Sequence, residues 1–78
     1  MTLKIISAEQ IEYEGEVNLV SLPGEMGLFE VLNNHAALIA SLTAGIVTYE
    51  NTDGTRMKRE MRGGVADINK NVVSVCIY

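Results

Sequence analysis

The sequence predicts an all-β fold, a small antiparallel β-sandwich or flattened barrel, and two observations lead to it. Turn signals recur at Glu14-Gly15, Pro23-Gly24, Asn33-Asn34, Asp53-Gly54, Gly63-Gly64 and Asn69-Lys70-Asn71. Most intervals between them are too short for a stable helix and suit strands. Between the turns lie β-branched runs such as Ile46–Tyr49 and Val72–Ile77, whose side chains pack well on a pleated surface.

Taken in order, the apolar start of the chain leads to the first turn signal at Glu14-Gly15. Pro23-Gly24 and Gly27 then let the backbone turn sharply before "LFEVL" (Leu28–Leu32), which reads as a strand. Alternation sends Leu28 and Glu30 to one face and Phe29 and Val31 to the other. In "NNHAALIASL" a helical turn would fit, with Asn34 as cap and Ala36, Ala37 and Ala40 as good formers. Strand pairing is preferred there, because strands precede and follow it. Asp53-Gly54 between "IVTYENT" and "TRMKREM" is the clearest hairpin signal, since glycine readily takes positive φ. Beyond it, Arg56, Lys58, Glu60 and Arg62 share a solvated face, opposed by Met57, Arg59 and Met61. In the last run Val73, Val75 and Ile77 face one way and Val72, Ser74 and Cys76 the other.

The 78 residues make one domain, spanning 1–78. A chain this short buries only about 60–65% of its unfolded surface and is marginal alone. One cysteine cannot form an internal disulfide, and one histidine with one cysteine cannot make a four-ligand zinc site. A net charge of −4 argues against a nucleic-acid partner, which needs a basic surface. No apolar run reaches the roughly 18–20 residues that cross a bilayer, so no direct membrane insertion is expected. "MTLKIIS" lacks the features of a signal peptide, and a free cysteine fits a reducing cytosolic compartment.

No set of residues reads as catalytic, and no cofactor, metal or small-molecule substrate is expected. His35 would need a nucleophile or an orienting carboxylate; Ser41 and Glu30 stand at spacings that match no catalytic motif, so His35 reads as structural or interfacial. "GEMG" and "GG" lack the Lys-Ser/Thr of a phosphate loop. Cys76, on an apolar terminal strand, is expected to be a small core residue. Met57-Lys58 superficially resembles the lysine of a biotin or lipoate carrier, but the predicted hairpin tip is Asp53-Gly54. A small β-sandwich carrier or protein-binding module is therefore the alternative reading. The cluster Leu28, Phe29, Val31 and Leu32 beside a turn suits either a protein contact or a core.

The block Leu22-Pro23-Gly24, Gly27, Phe29, Val31-Leu32, His35-Ala36, Leu38-Ile39, Leu42 and Gly45 resembles the N-terminal domain of the epsilon subunit of F-type ATP synthases, called delta in mitochondria. "LKIISAEQIEYEGEV" resembles that family's first hairpin, with Gly15 at its turn, and "RGGVADINKNVVSVC" its closing one. The likeness runs from Leu3 to Cys76. Ala37 departs from the proline usual in the family, and the sequence ends at Tyr78 with no C-terminal helical hairpin.

The resemblance implies a β-sandwich of about ten short strands. It also implies a non-catalytic central-stalk, or rotor, subunit, packed on gamma and the c-ring to couple ion-driven rotation to ATP synthesis. The complex would sit at the cytoplasmic side of the bacterial inner membrane, with this subunit peripheral. By the same resemblance Gly27, Leu28, Phe29, Glu30, Val31, Leu32, His35 and Leu42 form the interface toward gamma and the c-ring. Phe29→Ala is then expected to weaken assembly more than Lys58→Ala.

Overall fold

A computed structural model describes residues 1–78 and contains strands and turns but no helix. The eight strands are β1 (Thr2–Ile6), β2 (Ile11–Gly24), β3 (Gly27–Leu32), β4 (Leu38–Leu42), β5 (Gly45–Asn51), β6 (Arg56–Met61), β7 (Gly64–Asn69) and β8 (Val72–Ile77). With no helix present, none is long and apolar enough to cross a membrane.

The all-β sandwich is as expected, but with eight strands instead of about ten. Part of the difference is that β2 runs unbroken for 14 residues through the Glu14-Gly15 signal. Gly15 is strand interior. A Cβ there would come within 2.6 Å of the Tyr13 hydroxyl, so the glycine makes room for an aromatic ring lying over it. The first turn falls earlier: the Ser7 amide bonds to the Gln10 carbonyl at 2.9 Å, and the Ser7 hydroxyl accepts the Gln10 amide at 3.3 Å. Pro23-Gly24 likewise end β2, and the turn itself is Glu25-Met26, closed by Gly27 at φ +126°. The remaining turns fall where expected, with left-handed backbone at Asn34, Gly54, Lys70 and Asn71.

Pairing divides the strands into two sets, β1-β8-β7-β4 and β3-β2-β5-β6. All pairs are antiparallel except β1–β8. β2 joins the sets: its first half pairs with β1, its second half lies between β3 and β5, and Gly24 meets Leu42 of β4. One strand can serve both because a register shift between Val17 and Leu19 resets its phase. Val17 faces the core before the shift, Val20 and Leu22 after it.

The buried side chains are all hydrophobic and form one cluster, with Leu3, Ile5, Leu22, Ile68, Val73 and Val75 at 0–1% exposure. Each such side chain stabilises the fold by about 1.5–3 kcal/mol relative to exposure. Tyr13 and Tyr49 add a tilted ring pair with centroids 4.6 Å apart, and the Tyr13 hydroxyl donates to Asn51 Oδ1 at 3.1 Å.

Two exposed carboxylates titrate below their ordinary range. Asp53 accepts the Thr55 amide at 2.9 Å within the β5–β6 turn, and Glu16 accepts the Thr2 hydroxyl beside the N-terminal ammonium. Both stay ionised in the folded chain at pH values where the unfolded chain has taken up protons. Their contribution is present at neutral pH and is lost as pH falls through the carboxylate range. The urea midpoint is therefore expected to decline below about pH 4, and less steeply in Asp53→Ala. Parallel decline in both proteins would remove Asp53 from the account.

Candidate functional site

Five of the ten exposed large hydrophobic residues fall on the β2–β3 turn, β3 and β4. The β2–β3 hairpin places Met26 fully exposed at its tip, and β3 presents Leu28 at 73% and Leu32 at 54% exposure. From β4, Ile39 is 73% and Leu38 39% exposed. Between them lies a groove of about 470 Å³, lined by Gly24–Phe29 and Leu38–Ser41. It opens between the two layers. Phe29 packs on the core from above, while Leu38 stands in register with buried Ile68.

Strand alternation explains why this end stays apolar on the outside. Val31 must face the core, so Leu28, Glu30 and Leu32 must face away from it. In β4, Leu42 faces inward and Ile39, in register with Asp67, faces outward. Each exposed leucine or isoleucine forgoes about 1.5–3 kcal/mol that a covering surface would supply. Scattered exposed hydrophobics are ordinary; Met26, Leu28, Leu38 and Ile39 instead gather round one groove, which makes it the candidate contact site.

The charges of the β2–β3 hairpin are of one sign. Glu25 lines the groove and Glu30 lies beside it on β3, both exposed and neither in an ion pair. All six cations, Lys4, Arg56, Lys58, Arg59, Arg62 and Lys70, lie on other strands or turns. Arg59 is held by Glu12, its Nε donating at 2.8 Å, and Arg56 lies 3.4 Å from Glu50.

The structure sorts the predicted interface residues. Gly27, Leu28 and Phe29 line the groove, and Glu30 and Leu32 lie on the outer face of β3. Val31, at 0% exposure, and Leu42, at 4%, are core residues that shape the site without presenting a side chain. His35 is half-buried in the β3–β4 connection, its amide bonded to the Leu32 carbonyl at 3.2 Å and its Nδ1 2.7 Å from the Ala36 carbonyl oxygen. Its ring meets no carboxylate or hydroxyl. Met26 and Ile39 also line the groove and were not among the predicted residues. An apolar residue between two glycines of a tight turn, and an isoleucine on the outward phase of β4, are the signals that could have found them.

Two other residues need relocation. Cys76 is exposed on β8, opposite Val65, because the inward phase of that strand belongs to Val73, Val75 and Ile77; it is not the core residue expected. Lys58 lies within β6 opposite Thr48, away from the Asp53-Gly54 tip, where a carrier lysine would have to stand.

The family described as ATP synthase, Delta/Epsilon chain, beta-sandwich domain matches residues 1–77. The ATP synthase epsilon chain of Campylobacter lari is 41% identical over 75 residues, covering 96% of this chain and 58% of that relative. The ATP synthase epsilon chain of Rickettsia typhi is 36% identical, covering 94% of this chain and 68% of that relative. The chain thus spans about three-fifths of the relatives' length. Among solved structures, a chain of the Euglena gracilis mitochondrial ATP synthase superposes with TM-score 0.90 at 23% identity, covering 96% of this chain and 48% of that one. A chain of the Tetrahymena thermophila mitochondrial ATP synthase central stalk and c-ring superposes with TM-score 0.82 at 10% identity, covering 99% and 62%. These two likenesses carry the fold.

Proposed function

Because this chain belongs to the ATP synthase delta/epsilon β-sandwich family, we propose that it serves as a central-stalk subunit of an F-type ATP synthase. It packs against gamma and the c-ring, turns with them, and transmits ion-driven rotation without catalysing a reaction itself. The complex holds it at the cytoplasmic side of a bacterial inner membrane as a peripheral subunit.

The observation that carries this reading is the apolar end formed by Met26, Leu28, Leu32, Leu38 and Ile39. A rotor part must resist torque, and well-packed apolar anchors hold better than charges at a wet rim. The marginal size of the domain fits the same role, since a partner that binds only the folded state adds to its stability.

The test is recovery of the assembly. The tagged chain, expressed in its native host, is captured from detergent-solubilised membranes and its partners are identified by mass spectrometry. Gamma together with alpha, beta and c subunits is the expected set. A folded, abundant chain that brings down none of them would overturn the proposal.

A further inference from the structure

The sheet β3-β2-β5-β6 has two open edges, and they differ in how they are guarded. β6 carries Arg56, Lys58, Arg59 and Glu60, the charged residues with which natural edge strands discourage pairing. β3 carries one charge, Glu30, between exposed Leu28 and Leu32. It has no lysine, proline or bulge, and it pairs with β2 alone.

Which backbone groups β3 offers follows from Pro23. Its carbonyl accepts the Thr43 amide at 2.8 Å, so its main-chain polar groups point away from β3. Pro23 stands opposite Leu28 in the ladder, which makes that a non-hydrogen-bonded pair and suits a residue without an N–H. Leu28 therefore turns its amide and carbonyl to the open edge, and alternation does the same for Glu30 and for the amide of Leu32. The Leu32 carbonyl is taken by the His35 amide at 3.2 Å. Immediately beside this row lies the groove between the layers, lined in part by Phe29 and Leu38.

We propose that β3 captures its partner by strand addition: an extended segment of a partner polypeptide pairs with the Leu28–Leu32 edge and closes the mouth of the sandwich. Its alternate side chains fill the groove, and a lysine or arginine on its other face meets Glu30. Charge decides against a second copy of this chain as occupant. Antiparallel self-pairing that matches Leu28 with Leu32 sets the two Glu30 carboxylates against each other. A cation from another chain, beside a strand that has none, removes that conflict.

The inference deepens the rotor reading and rests on it, so the test separates the two. Site-resolved amide exchange is compared between the isolated chain and the chain captured within the assembled synthase. The expected result is slowing of roughly tenfold or more at Leu28, Glu30 and Leu32 on assembly, with the outward amides of β6 unchanged. Glu30→Pro removes one outward N–H that the ladder does not use, so the fold is expected to survive and incorporation to fall about tenfold or more. Glu30→Ala, which keeps the N–H, is expected to lose less. Incorporation with unprotected β3 amides, or wild-type recovery of Glu30→Pro, would overturn strand addition and leave the rotor reading standing. Concentration-dependent protection in the isolated chain would replace the partner by a second copy and overturn it too. Failure of the wild-type chain to assemble would overturn the rotor reading, and this inference with it.

Discussion

Gly64→Ala is expected to remove a third or more of the domain's stability, the largest effect of any single-methyl addition in this molecule. A Cβ at Gly64 would lie far inside van der Waals contact of the Cys76 carbonyl oxygen, 3.1 Å from the Cys76 carbonyl carbon and 3.2 Å from Ile77 Cα. All three are backbone atoms of β8, so no side chain can swing away. The methyl must push β7 from β8 at the pair Gly64–Ile77, where Ile77 is 7% exposed and part of the core. Opening that ladder strands backbone groups, at about 1–3 kcal/mol for each one left buried and unpaired. It also loosens the packing around Ile77, for a total of about 4 kcal/mol or more. A domain of this size has roughly 4–12 kcal/mol of stability to lose.

Gly54→Ala is the contrasting case. Nothing lies within 4 Å of its position, and only its φ of +90° resists a side chain. That costs about 1–2 kcal/mol, so the variant stays folded with a lowered midpoint. Urea denaturation followed by circular dichroism measures both. Comparable midpoints for the two variants would show that β7 and β8 tolerate separation, and the explanation from close backbone approach would be lost.

The same strands show what the sequence makes legible and what it hides. β7 and β8 alternate strictly, with Ala66, Ile68, Val73 and Val75 buried and polar or small residues between them, because one face meets the core and the other does not. Alternation of that kind is written directly into residue order. β2 is different. Its inward phase shifts between Val17 and Val20, so no single period describes it, and the bulge responsible has no residue signature of its own. Gly15 compounded the difficulty. A glycine beside a glutamate reads as a turn, whereas here it receives the ring of Tyr13, a neighbour on the same face of the strand. Cys76 was misplaced for the opposite reason: an apolar run suggests burial on both faces, but this layer of the sandwich is covered on only one.

The apolar end was half legible. Resemblance located the segment, and alternation separated Leu28 from Phe29, yet neither distinguishes Val31 in the core from Leu32 at the surface without knowing which phase faces inward. Ile39 and Met26 join the patch only through the pairing of distant strands. β4 comes beside the β2–β3 hairpin by the contact of Gly24 with Leu42, eighteen residues apart in sequence. Proximity of that kind is a property of topology.

Leu28→Asp combined with Ile39→Asp is expected to abolish assembly while leaving the domain folded. Both side chains are 73% exposed and outside the core cluster, so the stability change should stay near about 0.5 kcal/mol per site. In the assembly the same positions would be covered. Each substitution then forgoes about 1.5–3 kcal/mol of apolar burial and adds the cost of desolvating a carboxylate in an end that already carries Glu25 and Glu30. Since each 1.4 kcal/mol is about a tenfold change in affinity, the pair should lower incorporation by about a hundredfold or more. Phe29→Ala is a poorer probe, because Phe29 packs on the core and its loss would weaken folding and docking together. Lys58→Ala serves as the control: it lies on β6 opposite Thr48, away from the groove, and should incorporate as the unmodified chain does. Incorporation measured beside urea midpoints decides the matter. A doubly substituted chain that folds and assembles normally would move the docking surface elsewhere on the sandwich. Loss through Lys58→Ala instead would point to the charged face of β6, which the apolar anchors alone cannot explain.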